Sequence, residues 1–285
     1  MSTPADRIIP ILLYHSLTTV ASPGYRPYSV PPDRFRSQME HLAEARVHTL
    51  TVGELVDILD EPAAELPDRC VLLTFDDGFD EIHGLALPIL DRLGLRATAF
   101  VVTGYVGGTS RWLDAAGEGT RRLMSWTQLA ELAAHGVEVG SHSHGHRQLD
   151  TLSTAAARDE LVRSKSLLED RLGLPARSLA YPHGYHSAMI KRLVRQAGYS
   201  GAVGVKHALS HPADDRWALG RAVVGPDTTD ETLDAWLAGV GLARSWTKER
   251  PVTKAWRLVR RARAAVRPAA PAPDLPPDPG VPTPR

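Results

Sequence analysis

Residues 72–79 read LLTFDDGF: an apolar run that ends in two adjacent aspartates and a glycine. Neighbouring carboxylates repel each other and gain nothing from burial in an apolar core. A chain that places them at the end of a buried strand must supply partners for them. Along a strand successive side chains alternate, so Asp76 and Asp77 cannot point the same way. At the carboxyl end of a strand in an α/β fold, both can still reach the rim of a site. Asp-Gly is equally a common turn pair, and a plain turn accounts for the motif taken alone.

Working outward, similar apolar runs recur at 8–14 (IIPILLY), 70–75 (CVLLTF), 97–102 (ATAFVV) and 137–140 (VEVG). Weaker ones follow at 178–181 (SLAY), 200–205 (SGAVGV) and 219–224 (LGRAVV). Near-continuous apolar strands suit a parallel sheet buried on both faces. Helical patterns fill the gaps. TVGE at 51–54 and SWTQ at 125–128 both fit a capping box, and the helical pattern from 155 ends at Gly173, a helix-terminating glycine. Strand–helix alternation predicts an α/β fold, and about seven strands favour a barrel.

The 285 residues hold one cysteine, Cys70, which excludes an intrachain disulfide framework. The net charge of zero hides an asymmetry. Residues 244–267 hold nine Lys/Arg and one acid, while 1–243 hold 23 basic and 30 acidic residues. Three parts are therefore expected: a folded body over 1–243, a basic helical segment over 244–267, and a disordered tail over 268–285 with eight prolines in eighteen residues. IIPILLY is too short for a membrane span and lacks signal-peptide flanks, so a cytoplasmic location is expected. An acidic body without a base-reading motif gives no expectation of nucleic-acid binding.

Four polar clusters follow separate predicted strands. Beside Asp76 and Asp77, GSHSHGH at 140–146 carries His142, His144 and His146. His142 and His146 share a face on a helical turn, and all three share a face in an extended segment, so spacing does not fix the geometry. Two histidines and one aspartate make an N/N/O donor set suited to zinc with an open position. AYPHGYH at 180–186 joins a proline to a tight-turn glycine, a loop able to aim the His183 backbone N–H at an oxyanion. His15, in LLYHSL, follows the first strand. A lone histidine there is more often structural, and its weight comes from its position. In barrel-type α/β folds the common edge is where sites are built.

These residues resemble the polysaccharide deacetylases, carbohydrate esterase family 4. TFDDG matches the first motif, HSHGH the His-Ser/Thr-x-x-His motif, and AYPHG is similar to the third; the likeness runs over roughly residues 8 to 240. The resemblance implies a distorted (β/α) barrel with a divalent metal, usually zinc. It implies Asp77, His142 and His146 as metal ligands and Asp76 as the general base. Many members have an arginine where this chain has Ala180, but a subgroup resembling bacterial biofilm-polysaccharide deacetylases lacks it. In that subgroup the general acid comes from an N-terminal Tyr-His pair, matched here by Tyr14-His15, which makes His15 preferable to His211 of a late LSH. Arg221 resembles a late Pro-Arg site of the subgroup and is expected to orient Asp76.

The implied activity is hydrolytic removal of N-acetyl groups from an N-acetylhexosamine glycan, with release of acetate. The alternatives are a catalytically inactive glycan-binding descendant and an esterase or amidase acting on O-acetyl groups or small amides. Tyr181, Tyr185, Trp112, Trp126 and Trp217 are candidates for stacking on sugar rings, with core or rim packing the expected role of most. The basic segment 244–267 is read as a solvated helix packed on the barrel or, in a sharper reading, as a peripheral membrane contact.

Overall fold

The structure, a computed structural model, describes residues 7–61, 64–246 and 251–266. The proline-rich tail expected at 268–285 lies outside the described residues. Among the described residues eight strands alternate with helices. The strands are β1 (Ile11–Tyr14), β2 (His48–Leu50), β3 (Cys70–Phe75), β4 (Ala97–Val101), β5 (Val137–Ser141), β6 (Ser178–Ala180), β7 (Gly201–Val203) and β8 (Ala222–Val223). The main helices are α1 (Pro32–Glu44), α2 (Val52–Asp60), α3 (Leu87–Leu93), α4 (Trp126–Ala134), α5 (Thr154–Leu172), α6 (Ala188–Gln196), α7 (Asp230–Leu237) and α8 (Pro251–Val266).

All strand pairs are parallel, in the order β7-β6-β5-β4-β3-β1-β8. The sequence carries no sign of β2, because HTL holds a single apolar residue. Leu72 of β3 pairs with Ile11 on one edge and Leu50 on the other, so β2 flanks the first half of β3. Beyond it β4 takes over the same edge at Thr74 and Phe75. At the far end, Leu219 bridges to Val203 of β7, and Ala222 and Val223 pair with β1. The segment 216–224 therefore brings the two ends of the sheet towards each other, which gives the distorted (β/α) barrel.

Strand alternation separates two cores. Inward residues such as Ile11, Leu72, Phe100, Ala180 and Val203 pack with Val52 and Leu55 of α2 inside the barrel. Outward residues such as Leu12, Leu73, Ala99 and Val139 pack beneath α1, α3 and α4. A strand buried on both faces has no polar face to display, which is why the runs read as unbroken hydrophobics. Phe100 fills the barrel centre so closely that a Cβ on Gly140 would lie 2.6 Å from its ring. Truncating Phe100 to alanine would remove about 3–5 kcal/mol.

Both predicted capping boxes form. Thr51 Oγ1 accepts from Glu54 N–H while the Glu54 carboxylate accepts from Thr51 N–H, and Ser125 and Gln128 repeat the exchange. Gly173 ends α5 with φ +65°. Part of the basic segment forms α8, which starts at Pro251. Proline is well placed there, since the first turn of a helix has no use for that N–H.

Candidate active site

Parallel strands send their carboxyl ends to one edge, and register fixes which ends meet. Tyr14 pairs with Phe75, so His15 follows β1 beside Asp76, whose N–H donates to Tyr14 O at 2.9 Å. Val101 pairs with Ser141, and His142 N–H donates to Val101 O at 2.8 Å. Ser141 pairs with Leu179, which brings the loop at 181–186 alongside.

The two aspartates diverge as a strand requires, but only one of them stays in phase. Asp76 continues the inward row of Leu72 and Thr74. Asp77 leaves the strand with φ +72° and is followed by Gly78 at φ +77°. The motif therefore forms a tight turn at the carboxyl end of β3. A side chain at Gly78 would meet Val101 at 3.0 Å in addition to its backbone strain.

Asp76 meets Arg221 inside the barrel mouth. The guanidinium donates to Oδ1 from Nη1 and to Oδ2 from Nη2, each at 2.7 Å. Nη1 also donates to Thr74 Oγ1 at 3.2 Å and Nε to Gly204 O at 2.9 Å. Arg221 is fully buried. Burial by itself would raise the Asp76 carboxyl; Arg221 and His142 reverse this and hold its pKa below the usual range.

Asp77, His142 and His146 converge. Asp77 Oδ1 lies 3.6 Å from His142 Nε2 and 3.2 Å from His146 Nε2. The loop between the histidines is neither helical nor extended, with φ +63° at Ser143 and φ +54° at His146. Ser143 Oγ accepts from His146 N–H at 3.1 Å and steadies it. His144 turns away to Thr103 Oγ1, 3.0 Å from its Nδ1.

His142 Nδ1 lies 2.8 Å from Ala180 O. A carbonyl only accepts, so Nδ1 carries the proton and the Nε2 lone pair faces Asp77. Burial pushes His142 down to about 4, against the opposing field of Asp76. Asp77 Oδ2 accepts from Tyr25 O–H at 2.8 Å, while the buried Oδ1 has no hydrogen-bond partner. Burial would raise the Asp77 carboxyl, but His146 and the other histidines bring it well below its ordinary value. Three acceptor atoms within 4.8 Å of one another, one of them an orphaned carboxylate oxygen, fit a divalent cation with N/N/O preference.

The remaining predicted residues divide. His15 is partly buried and its ring lies 5.2 Å from that of Tyr28, edge to face. Burial lowers its pKa, opposed by the fields of Asp76 and Asp77. His183 sits on the rim with φ +57°, its ring 4.8 Å from that of His146. His211 lies elsewhere: Ser210 bridges to Ile9, ahead of β1, so His211 is at the opposite edge, where its Nε2 pairs with Asp214 at 3.0 Å. Among the aromatic candidates, Trp112 stacks on His146 at 5.0 Å, and Tyr185 lines the cleft. Trp126 and Tyr181 are core residues, and Trp217 packs between Arg195 and Arg216.

Two contributors were not legible in the sequence. Tyr25 comes from a Pro/Gly-containing loop with no motif, and Asp150 anchors α8 to the body. Asp150 is fully buried and takes Arg260 through both oxygens at 2.7 and 2.6 Å, with Arg257 Nε at 3.0 Å.

A parallel barrel with this carboxyl-edge site is the deacetylase type of (β/α) barrel. Residues 63–202 match the model of the polysaccharide deacetylase family. The chain is 25% identical over 219 residues to a poly-β-1,6-N-acetyl-D-glucosamine N-deacetylase of Staphylococcus epidermidis, covering 73% of this chain and 72% of that protein. Among solved structures it is similar to the Streptococcus pyogenes deacetylase PplD in complex with acetate, with TM-score 0.69 and 25% identity over 80% of this chain and 96% of that one. IcaB from Ammonifex degensii shares the fold, with TM-score 0.67 and 24% identity over 81% and 97% of the two chains.

Proposed function

We propose that this chain is a metal-dependent N-deacetylase that removes acetyl groups from N-acetylhexosamine units of a glycan. The observation that carries the reading is the meeting, at one barrel edge, of a three-ligand cation site with a carboxylate already held by a buried arginine. The relative named as a poly-β-1,6-N-acetyl-D-glucosamine N-deacetylase supports an N-acetylglucosamine-containing substrate.

Asp77, His142 and His146 would hold the ion, zinc by donor type, which when bound supplies Lewis acidity towards water and an acetamide carbonyl. Asp76 takes the proton of the attacking water, with both of its oxygens fixed by Arg221. The His183 backbone N–H is assigned to the carbonyl oxygen as negative charge develops there. His15 gives a proton to the departing nitrogen, since an amine leaves poorly without one. Water and the amide are converted to acetate and a free amino sugar. Arg221 supports this reading over a catalytically inactive descendant, because it supplies the aspartate partner that Ala180 cannot.

The test is acetate release from fully N-acetylated chitotetraose beside an O-acetylated glycan, with metal content measured on the same samples. Acetate from chitotetraose, lost in Asp76→Asn and after chelation, is the expected result. Release from the O-acetyl substrate alone would select the esterase reading. Absence of bound metal after reconstitution would overturn the mechanism.

A further inference from the structure

Beside the ligand triad the site opens into a cavity of about 1430 Å³. Trp112 and His146 form one wall, and α8 forms another. The helix α8, remote in sequence from the histidine and aspartate motifs, is thus part of the cleft. Asp150 seats it: Arg257 and Arg260 pair with the Asp150 carboxylate, and Arg261 Nε donates to Asp150 O at 2.9 Å. Ring contacts carry the wall back to the triad. The Arg260 guanidinium lies 3.6 Å over the Tyr185 ring, which stacks 6.2 Å from His183, itself 4.8 Å from His146.

Asp150 offsets one of the two charges of Arg257 and Arg260. Arg111, Arg147, Arg261 and Arg263 line the cavity with Arg260, and Asp114 is the one acid among its described lining residues. This surplus of positive charge lines the cleft of a protein whose body is mildly acidic. A neutral N-acetylglucosamine polymer offers hydroxyls and amides, which need no guanidinium surplus. Oxyanions match it, because the planar guanidinium fork binds phosphate and carboxylate through paired hydrogen bonds.

We propose that this cavity is an anion-reading subsite: the glycan carries phosphate or carboxylate groups near the sugar that is deacetylated, and Arg111, Arg147, Arg261 and Arg263 hold them. The proposal rests on the deacetylase reading for its sugar component. An anionic membrane surface is the other source of such charge. The glycan is favoured because Arg257, Arg260 and Arg261 turn onto the body and Trp256 Nε1 reaches Tyr185 O–H at 3.4 Å.

The experiment is calorimetric titration of the full metal-loaded chain with three probes: neutral, fully N-acetylated chitotetraose, a heparosan tetrasaccharide of alternating glucuronate and N-acetylglucosamine, and UDP-N-acetylglucosamine. Phosphatidylglycerol vesicles are tested in parallel by co-sedimentation. At least one anionic sugar is expected to bind about ten-fold or more tighter than chitotetraose, by an advantage that shrinks with added salt. The double variant Arg111→Gln/Arg263→Gln should erase that advantage and leave the chitotetraose affinity unchanged. Equal affinity for neutral and anionic sugars, no binding of any probe, or an unchanged preference in the double variant would overturn the proposal. Vesicle binding without a preference among the sugars would overturn it in favour of the membrane. Acetate release from chitotetraose without an anionic preference would remove this inference and leave the deacetylase reading standing.

Discussion

Arg221 grips Asp76 through both carboxylate oxygens at 2.7 Å, and both residues are buried at the barrel mouth. The two are 145 positions apart in the chain. Arg221→Met should lower stability by about 3–5 kcal/mol, because the Asp76 charge would stay buried without its partner. Arg221→Lys should not restore it, since one ammonium cannot replace the two-pronged contact. Urea denaturation midpoints check both. Wild-type stability in Arg221→Met would show that the pair does not behave as a buried ion pair.

Tyr25 orients Asp77 by donating to Oδ2, leaving Oδ1 to face the histidines. Tyr25→Phe should weaken metal affinity by about 10–100-fold while the fold is kept. Competition with a chromogenic chelator measures this. His142→Ala, which removes a ligand outright, should lose the metal altogether in elemental analysis.

His15 and His211 separate cleanly, because they stand at opposite ends of the strands. His15→Gln should lower kcat by about 10²–10⁴-fold if His15 donates the proton to the leaving nitrogen. His211→Gln should leave kcat near wild type. Acetate-release kinetics on both variants decide, and the reverse pattern would move the acid to His211.

The pH dependence of stability has a defined sign at His186. Burial pushes this histidine down to about 4, although Gly184 O accepts from its ring. The unfolded chain, with an ordinary histidine pKa near 6.5, binds the proton first as pH falls. Stability from this group is therefore complete above about pH 6.5 and is lost progressively towards pH 4. Partial exposure of the ring keeps the effect below the ~1.4 kcal/mol per pH unit of a fully buried group. Thermal midpoints from pH 7.5 to 4 should fall, and His186→Asn should fall less steeply.

Much of the fold could be read from local patterns. Strands buried on both faces announced themselves as apolar runs, and the helix starts carried their capping residues at fixed offsets. The three-residue β2 and the two-residue β8 carried too little pattern to be placed in register. The loop at 142–146 adopts two left-handed residues that its spacing could not specify.

By itself the sequence determined which residue types would stand at the strand ends, since Asp76, Asp77, His142, His146, His15 and His183 each follow an apolar run. Tertiary structure alone decided who meets whom. Parallel register set Asp76 beside His15, while the antiparallel bridge of Ser210 to Ile9 sent His211 to the other edge. Chain closure through 216–224 delivered Arg221 to Asp76, and the buried Asp150 turned a basic helix into a wall of the cleft. Such pairings arise between residues far apart in the chain, where strand register and the burial of charge, rather than local spacing, select the partner.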